Sequence, residues 1–90
     1  MLDIVFSNQF RKDLKLASKR GYNLDLLNEV VDKIAAGTAL PVKNRDHELT
    51  GNYIGFRECH IQPDWLLVYK IDNNELILFL SRTGTHSGLF

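Results

Sequence analysis

The sequence has one cysteine, no apolar run long enough to cross a bilayer, no excess of either charge, and none of the spacings that hold a metal or a nucleotide phosphate. Each absence removes a class of protein. The single cysteine, Cys59, excludes an internal disulfide framework and stands in a strand-like run where small apolar side chains are ordinarily buried, which fits a reducing compartment. The apolar stretch Leu76-Ile77-Leu78-Phe79-Leu80 falls far short of the roughly 20 residues a membrane helix needs, and no basic segment followed by an apolar core opens the chain. A soluble, intracellular, cytoplasmic protein with no membrane partner is expected. Eleven Lys/Arg balance eleven Asp/Glu, which argues against seizing nucleic acid by net charge alone.

The histidines, His47, His60 and His86, are widely spaced, with no H-E-x-x-H pair, no cysteine pair and no clustered carboxylates, so neither a metal nor another cofactor is expected. A Gly-rich phosphate loop is missing, as is the G-x-S-x-G elbow of a serine hydrolase. What is present suits one small domain over residues 1–90: 44% apolar and 24% charged residues are ordinary for a globular chain. A chain of this size buries only about 60 to 65% of its unfolded surface.

The charge is unevenly spread. Residues 1–20 carry Arg11, Lys12, Lys15, Lys19 and Arg20 against Asp3 and Asp13, a net of +3, whereas residues 21–40 carry Lys33 against Asp25, Glu29 and Asp32, a net of −2. Leu2, Ile4 and Phe6 alternate as in a short half-buried strand. Ser7 then offers a cap to a helix over residues 8–20, with Phe10, Leu14 and Ala17 on its apolar face, a basic polar face, and a stop at Gly21. Asn23 caps a second helix with Leu24, Leu27, Val31 and Ile34 as its stripe and Gly37 at its end.

After Pro41, β-branched and aromatic residues become dense, predicting strands near 46–50, 56–61, 66–71 and 76–83, with turns at Gln62-Pro63-Asp64 and Asp72-Asn73-Asn74. The expected architecture is α+β: an N-terminal strand and a two-helix hairpin packed on a small antiparallel sheet.

Tight turns would pair residues whose numbers sum to about 125 in the first hairpin and about 147 in the second, placing His60 opposite Trp65 and Arg82 beside Trp65 on the other side. With Asp64 in the turn and His86 four residues past Arg82, a His/Asp/Arg/His cluster is expected at one end of the sheet. Those residue types suit metal-free cleavage of RNA through its own 2′-OH. That reaction needs a base for the 2′ proton, a cation for the crowded phosphorane and an acid for the 5′-oxygen. Histidine serves as acid or base near neutral pH, and Arg offers a permanent forked charge to phosphate oxygens. Trp65 has two readings, a core residue or a base-stacking platform. Phe90 likewise reads as a docked hydrophobic tail or as a stacking aromatic. The Lys12, Lys15 and Lys19 stripe reads as a solvated face or as an RNA contact.

Three segments, Asp46-His47-Glu48-Leu49, Cys59-His60-Ile61-Gln62-Pro63-Asp64-Trp65 and Arg82-Thr83-Gly84-Thr85-His86-Ser87-Gly88-Leu89-Phe90, closely resemble the YafQ branch of the RelE/ParE toxin superfamily. The likeness runs essentially end to end and includes Phe10, Asp13 and Leu14 of the opening helix. The H-x-x-P-D-W and R-T-G-T-H segments together carry the specificity. The resemblance implies a RelE-like fold and a type II toxin that acts as a ribosome-dependent endoribonuclease on mRNA. It also implies a cognate antitoxin of DinJ/RelB type, and contact with operator DNA only through the toxin-antitoxin complex. By the same pattern His47, His60, Asp64 and His86 match the acid-base set, Arg82 a phosphate contact, and Phe90 the C-terminal aromatic near substrate. His86 is expected to act as acid to the 5′-oxygen and His60 with Asp64 to assist the 2′-OH, with His47 orienting substrate.

The chain departs from the superfamily in charge, since its relatives tend to be basic. The +3 segment would then carry the ribosome contact, weakening steeply with salt. Two rival functions remain in view: a non-catalytic topoisomerase inhibitor of the ParE kind, and an antitoxin-binding, operator-regulating module without nuclease activity. Several proton-transfer residues at one sheet end argue against the first, and growth arrest without the antitoxin, abolished by His86→Ala while folding is retained, would exclude the second.

Overall fold

A computed structural model describes residues 1–89; Phe90, expected near substrate, lies outside the described residues. The chain runs β1 (Asp3–Phe6), α1 (Asn8–Lys19), α2 (Leu24–Ala35), β2 (His47–Glu48), β3 (Arg57–Gln62), β4 (Trp65–Asp72), β5 (Ile77–Gly84) and a single helical turn, α3 (His86–Leu89). Short 3-10 turns at Val42–Asn44 and Gly51–Tyr53 flank β2. The five strands form one sheet in the order β1-β5-β4-β3-β2.

The two helices begin and end where their local chemistry dictates. Ser7 Oγ accepts the Phe10 N–H at 2.9 Å, and the Asn23 side chain accepts the Asp25 N–H at 3.0 Å, satisfying amides that no helical carbonyl reaches. Both C-termini close alike. Gly21 and Gly37 adopt φ of 78° and 77°, which lets the following residues, Tyr22 and Thr38, return N–H groups to Ala17 and Lys33.

Helices α1 and α2 cover one face of the sheet. Phe10, Leu27, Val31 and Ile34 pack on Cys59, Trp65, Leu67, Tyr69, Leu78 and Leu80, all buried. Each such side chain contributes about 1.5–3 kcal/mol by leaving water. Trp65 is a core residue and cannot stack on a base: it is 1% exposed, lies edge-on to Tyr22 at 4.9 Å, and donates its indole N–H to Thr83 Oγ1 at 2.9 Å.

The antiparallel meander β2-β3-β4-β5 stands as expected, and β1 extends it by pairing parallel to β5. As the edge strand, β1 is covered from one side only, so Ile4, Val5 and Phe6 all remain about 40% exposed rather than alternating in burial.

Both hairpin registers differ from expectation. His60 faces Leu66, not Trp65, because a bulge between His60 and Gln62 follows the two-residue Pro63-Asp64 turn. Arg82 faces Val68, not Trp65. The second hairpin closes with four residues, 73–76, because Asp72 Oδ1 accepts the N–H groups of Asn74 and Glu75 and holds a wider turn, and a further bulge follows between Val68 and Tyr69. These offsets separate His60 from Trp65: the imidazole belongs to the face of Leu66, the indole to the helix-covered face.

Candidate active site

Cross-strand partners share a sheet face, so the observed register defines two rows on the side away from the helices. One row crosses four strands as His47, Glu58, Val68 and Arg82. The next, one pleat repeat along, runs His60, Leu66 and Gly84. With strands about 4.8 Å apart and about 3.4 Å per residue, His60 and Arg82 have Cα atoms on the order of 12 Å apart. The apolar floor between them, Leu66 and Val68, is fully buried.

Glu58 sits at the centre of the histidine side of this face. It is 5% exposed, and its Oε1 lies 3.6 Å from His47 Nε2 and 3.9 Å from His60 Nε2. Each ring is pinned at its other nitrogen, His47 Nδ1 by the Arg45 carbonyl at 2.6 Å and His60 Nδ1 by the Pro63 carbonyl at 3.2 Å. A carbonyl only accepts, so Nδ1 is the donor in both of these bonds, and Nε2 of each ring is the atom turned to Glu58. The Pro63 carbonyl belongs to the turn that also holds Asp64, which is exposed. The carboxylate paired with His60 is therefore Glu58, not Asp64. Nothing in the H-x-x-P-D-W segment marked Glu58, because only pairing β2 with β3 sets His47 opposite it.

Arg82 is fixed from the other side. β1 ends opposite Leu80, leaving the edge of β5 beyond it without a strand neighbour. The start of α1 fills that place: Ser7 Oγ donates to the Ser81 carbonyl at 2.7 Å, and Asp13 Oδ2 accepts the Thr83 N–H at 3.1 Å. The same carboxylate accepts Arg82 Nε at 2.8 Å and Nη2 at 3.3 Å, while Gln9 donates to Oδ1. These bonds hold the guanidinium firmly charged, its pKa raised chiefly by the hydrogen bond to Asp13. Tyr53, from the turn before β3, adds a smaller electrostatic contribution in the same direction. Neither Asp13 nor Tyr53 belongs to the candidate site set that the sequence offers. Asp13 reads in sequence as one polar position of a basic helix, although it is buried.

His86 opens α3 at the end of the Gly84 row and is exposed. The turn folds back so closely that a side chain at Gly84 would meet Leu89 at 3.3 Å. Lys12, Lys15 and Lys19 are exposed on α1, the helix that sends Asp13 to Arg82. Cys59, between Glu58 and His60, points into the core, and burial pushes its thiol up to about 12, unsuited to nucleophilic work. Among the described residues no three His, Cys, Asp or Glu side chains are arranged to hold a metal ion. The assembled groups are thus two oriented imidazoles, a buried carboxylate and an immobilised guanidinium.

The family model for YafQ, a bacterial toxin of type II toxin-antitoxin systems, matches residues 2–90. The mRNA interferase toxin YafQ of Escherichia coli K12 is 40% identical over 89 residues, which are 98% of this chain and 95% of that protein. The crystal structure of a metal-bound toxin from Helicobacter pylori superposes with a TM-score of 0.95 at 50% identity, covering 100% of both chains. A chain of the Escherichia coli DinJ-YafQ toxin-antitoxin complex superposes with a TM-score of 0.89 at 39% identity, covering 99% of this chain and 97% of that one.

Proposed function

The chain belongs to the YafQ family of bacterial toxins of type II toxin-antitoxin systems, and on that footing we propose that it is an mRNA interferase. In this reading it is a cytoplasmic endoribonuclease that cuts mRNA on the ribosome and is neutralised by an antitoxin of the DinJ kind. The observation that carries the proposal is the shared sheet face: two imidazoles with their Nε2 atoms turned to one buried carboxylate, and an arginine locked by Asp13 on the same face.

The reaction follows from these groups. His60 Nε2 takes the 2′-OH proton while the 2′-oxygen attacks phosphorus. Glu58 bears the complementary charge, and Asp64 adds its carboxylate at the mouth of the turn. Arg82 faces the non-bridging oxygens, where negative charge accumulates in the phosphorane. The P–O5′ bond then breaks as His86 delivers a proton to O5′, leaving a 2′,3′-cyclic phosphate and a 5′-OH. His47, whose ring is anchored on Arg45 and Glu58, orients the substrate. Phe90 is proposed to stack beside the substrate base and the Lys12, Lys15 and Lys19 face to meet ribosomal RNA. With so few groups, orientation by the ribosome supplies much of the rate, so naked RNA is expected to be cut slowly or not at all.

The deciding experiment maps 5′ ends of an mRNA incubated with purified protein, with and without programmed ribosomes. Wild type should cut within the reading frame only when ribosomes are present, and His86→Ala should lower cleavage by about 10²- to 10⁴-fold with an unchanged thermal midpoint. Absence of cutting by folded wild type would refute the nuclease and direct the search to topoisomerase inhibition.

A further inference from the structure

A cavity of about 490 Å³ opens beside the active face, between α2 and the turn after β3, and His60 forms part of its wall. Lys43, Arg45 and Gln62 give it a polar rim, and Leu26, Ile61 and Pro63 give it apolar walls. We propose that this cavity is a subsite for one single-stranded mRNA nucleotide, the neighbour of the scissile phosphate on the His60 side. The inference rests on the nuclease reading and adds to it the residues that select the base.

Three observations support it. Lys43 and Arg45 are exposed, and neither is in an ion pair among the described residues, in a chain whose formal charges cancel. No acidic side chain lines the cavity; neighbouring Asp46 is taken up by Arg57 at 3.3 Å and Tyr69 at 2.5 Å. Two free cations beside an apolar slot match the phosphate and flat base of a nucleotide, and of the two lining amides Asn44 is bonded to the His60 carbonyl while Gln62 is left for the base edge. The volume lies within the range of about 300–1,000 Å³ usual for small-ligand sites.

The segment is also fastened to the catalytic strand. Buried Asn44 donates to the His60 carbonyl at 2.7 Å. Arg45 adopts a left-handed backbone, φ 48°, and in that conformation its carbonyl holds His47 Nδ1. Non-glycine residues seldom adopt such a backbone, and strain of this kind concentrates at functional sites. Arg45 thus links the anchor of His47 with a charge at the cavity rim.

This linkage provides a clean probe. Arg45→Gly retains the left-handed backbone and the carbonyl for His47 while deleting the guanidinium, and Lys43→Gln deletes the second charge. In a His86→Ala background, titration with a single-stranded RNA tetranucleotide followed by NMR should move the amides of Leu26, Lys43, Arg45 and Gln62. The double variant should weaken binding about tenfold and flatten the salt slope by about 1.4, two contacts at ~0.7 each. In a separate arm, Gln62→Ala, which removes the amide for the base edge while His86 stays intact, should still cut on ribosomes but lose base preference at one position beside the cut. Amide shifts confined elsewhere, no shifts at millimolar RNA, or unchanged affinity in the double variant would overturn the subsite. So would unaltered base preference in Gln62→Ala, which would leave the cavity no part in selecting the base. Failure of wild type to cut would sink the nuclease reading alone, because the tetranucleotide titration decides the cavity independently.

Discussion

The two faces of the sheet are built from alternate residues of the same strands and do opposite work. Cys59 turns inward to Phe10 and the α2 stripe, while its neighbours Glu58 and His60 belong to the other face. On β4, Trp65, Leu67 and Tyr69 enter the helix-covered core, whereas Leu66 and Val68 floor the site. The inner face is held by area and tolerates polar groups only when paired, as with Trp65 and Thr83. The outer face is held by directed bonds, His47 to Arg45, His60 to Pro63 and Arg82 to Asp13. A period of two therefore delivers a stable core and an oriented site from one set of strands, provided the register is right.

Substitutions can separate the faces. The largest effect is expected from Leu67→Ala, which empties a fully buried position and should cost about 2–5 kcal/mol in urea unfolding, with cleavage per folded molecule little changed. Glu58→Gln inverts that pattern: shape is conserved, the charge between the histidines is lost, and cleavage should fall by about a hundredfold with a small change in unfolding midpoint. Equal losses of stability and activity in both variants would show that the faces are not separable.

Asp13→Asn crosses between them. The carboxylate accepts Gln9, Arg82 and the Thr83 amide, so turning one oxygen into an NH₂ group sets donor against donor. A stability loss of about 1–3 kcal/mol should accompany a fall in kcat, and Asp13→Glu should restore part of it. A pure stability loss with kcat intact would make Asp13 structural only.

An effect absent at neutral pH concerns the inner face. Burial raises Cys59 from its ordinary 9.0 to about 12, and Tyr69 rises as well through burial and its bond to Asp46. Raised folded values mean that the native state keeps protons which the unfolded chain releases. Stability is thus full below pH 9 and declines from there toward about 12, by at most ~1.4 kcal/mol per pH unit per group. Cys59→Ala should flatten the part of that decline between 9 and 12 in pH-dependent urea unfolding.

Much of this was legible in the sequence because it is local. Ser7 and Asn23 cap, Gly21 and Gly37 stop, and Pro63-Asp64 turns, each through bonds to residues at most five positions away. That His60 and Arg82 share one end of the sheet is legible for the same reason, that hairpins bring their arms together, although they stand on neighbouring rows and not in the single row through Trp65 that tight turns predict. The registers were not legible, since Asp72 widening its turn and the bulges near Ile61 and Ser81 shift every partner beyond them.

What the sequence alone determined, then, is the succession of elements, the residue types of the chemistry and the family they belong to, all written in short spacings and in the H-x-x-P-D-W and R-T-G-T-H segments. What the tertiary structure decided is which groups act together. Glu58 acquires its two histidines, Arg82 its aspartate 69 residues away, and Trp65 its place in the core, only when strands distant in sequence align. The physical reason is that caps and turns are satisfied within a few residues. A buried charge finds its partner only through the register of the whole sheet, and one residue of slip would turn it to the other face.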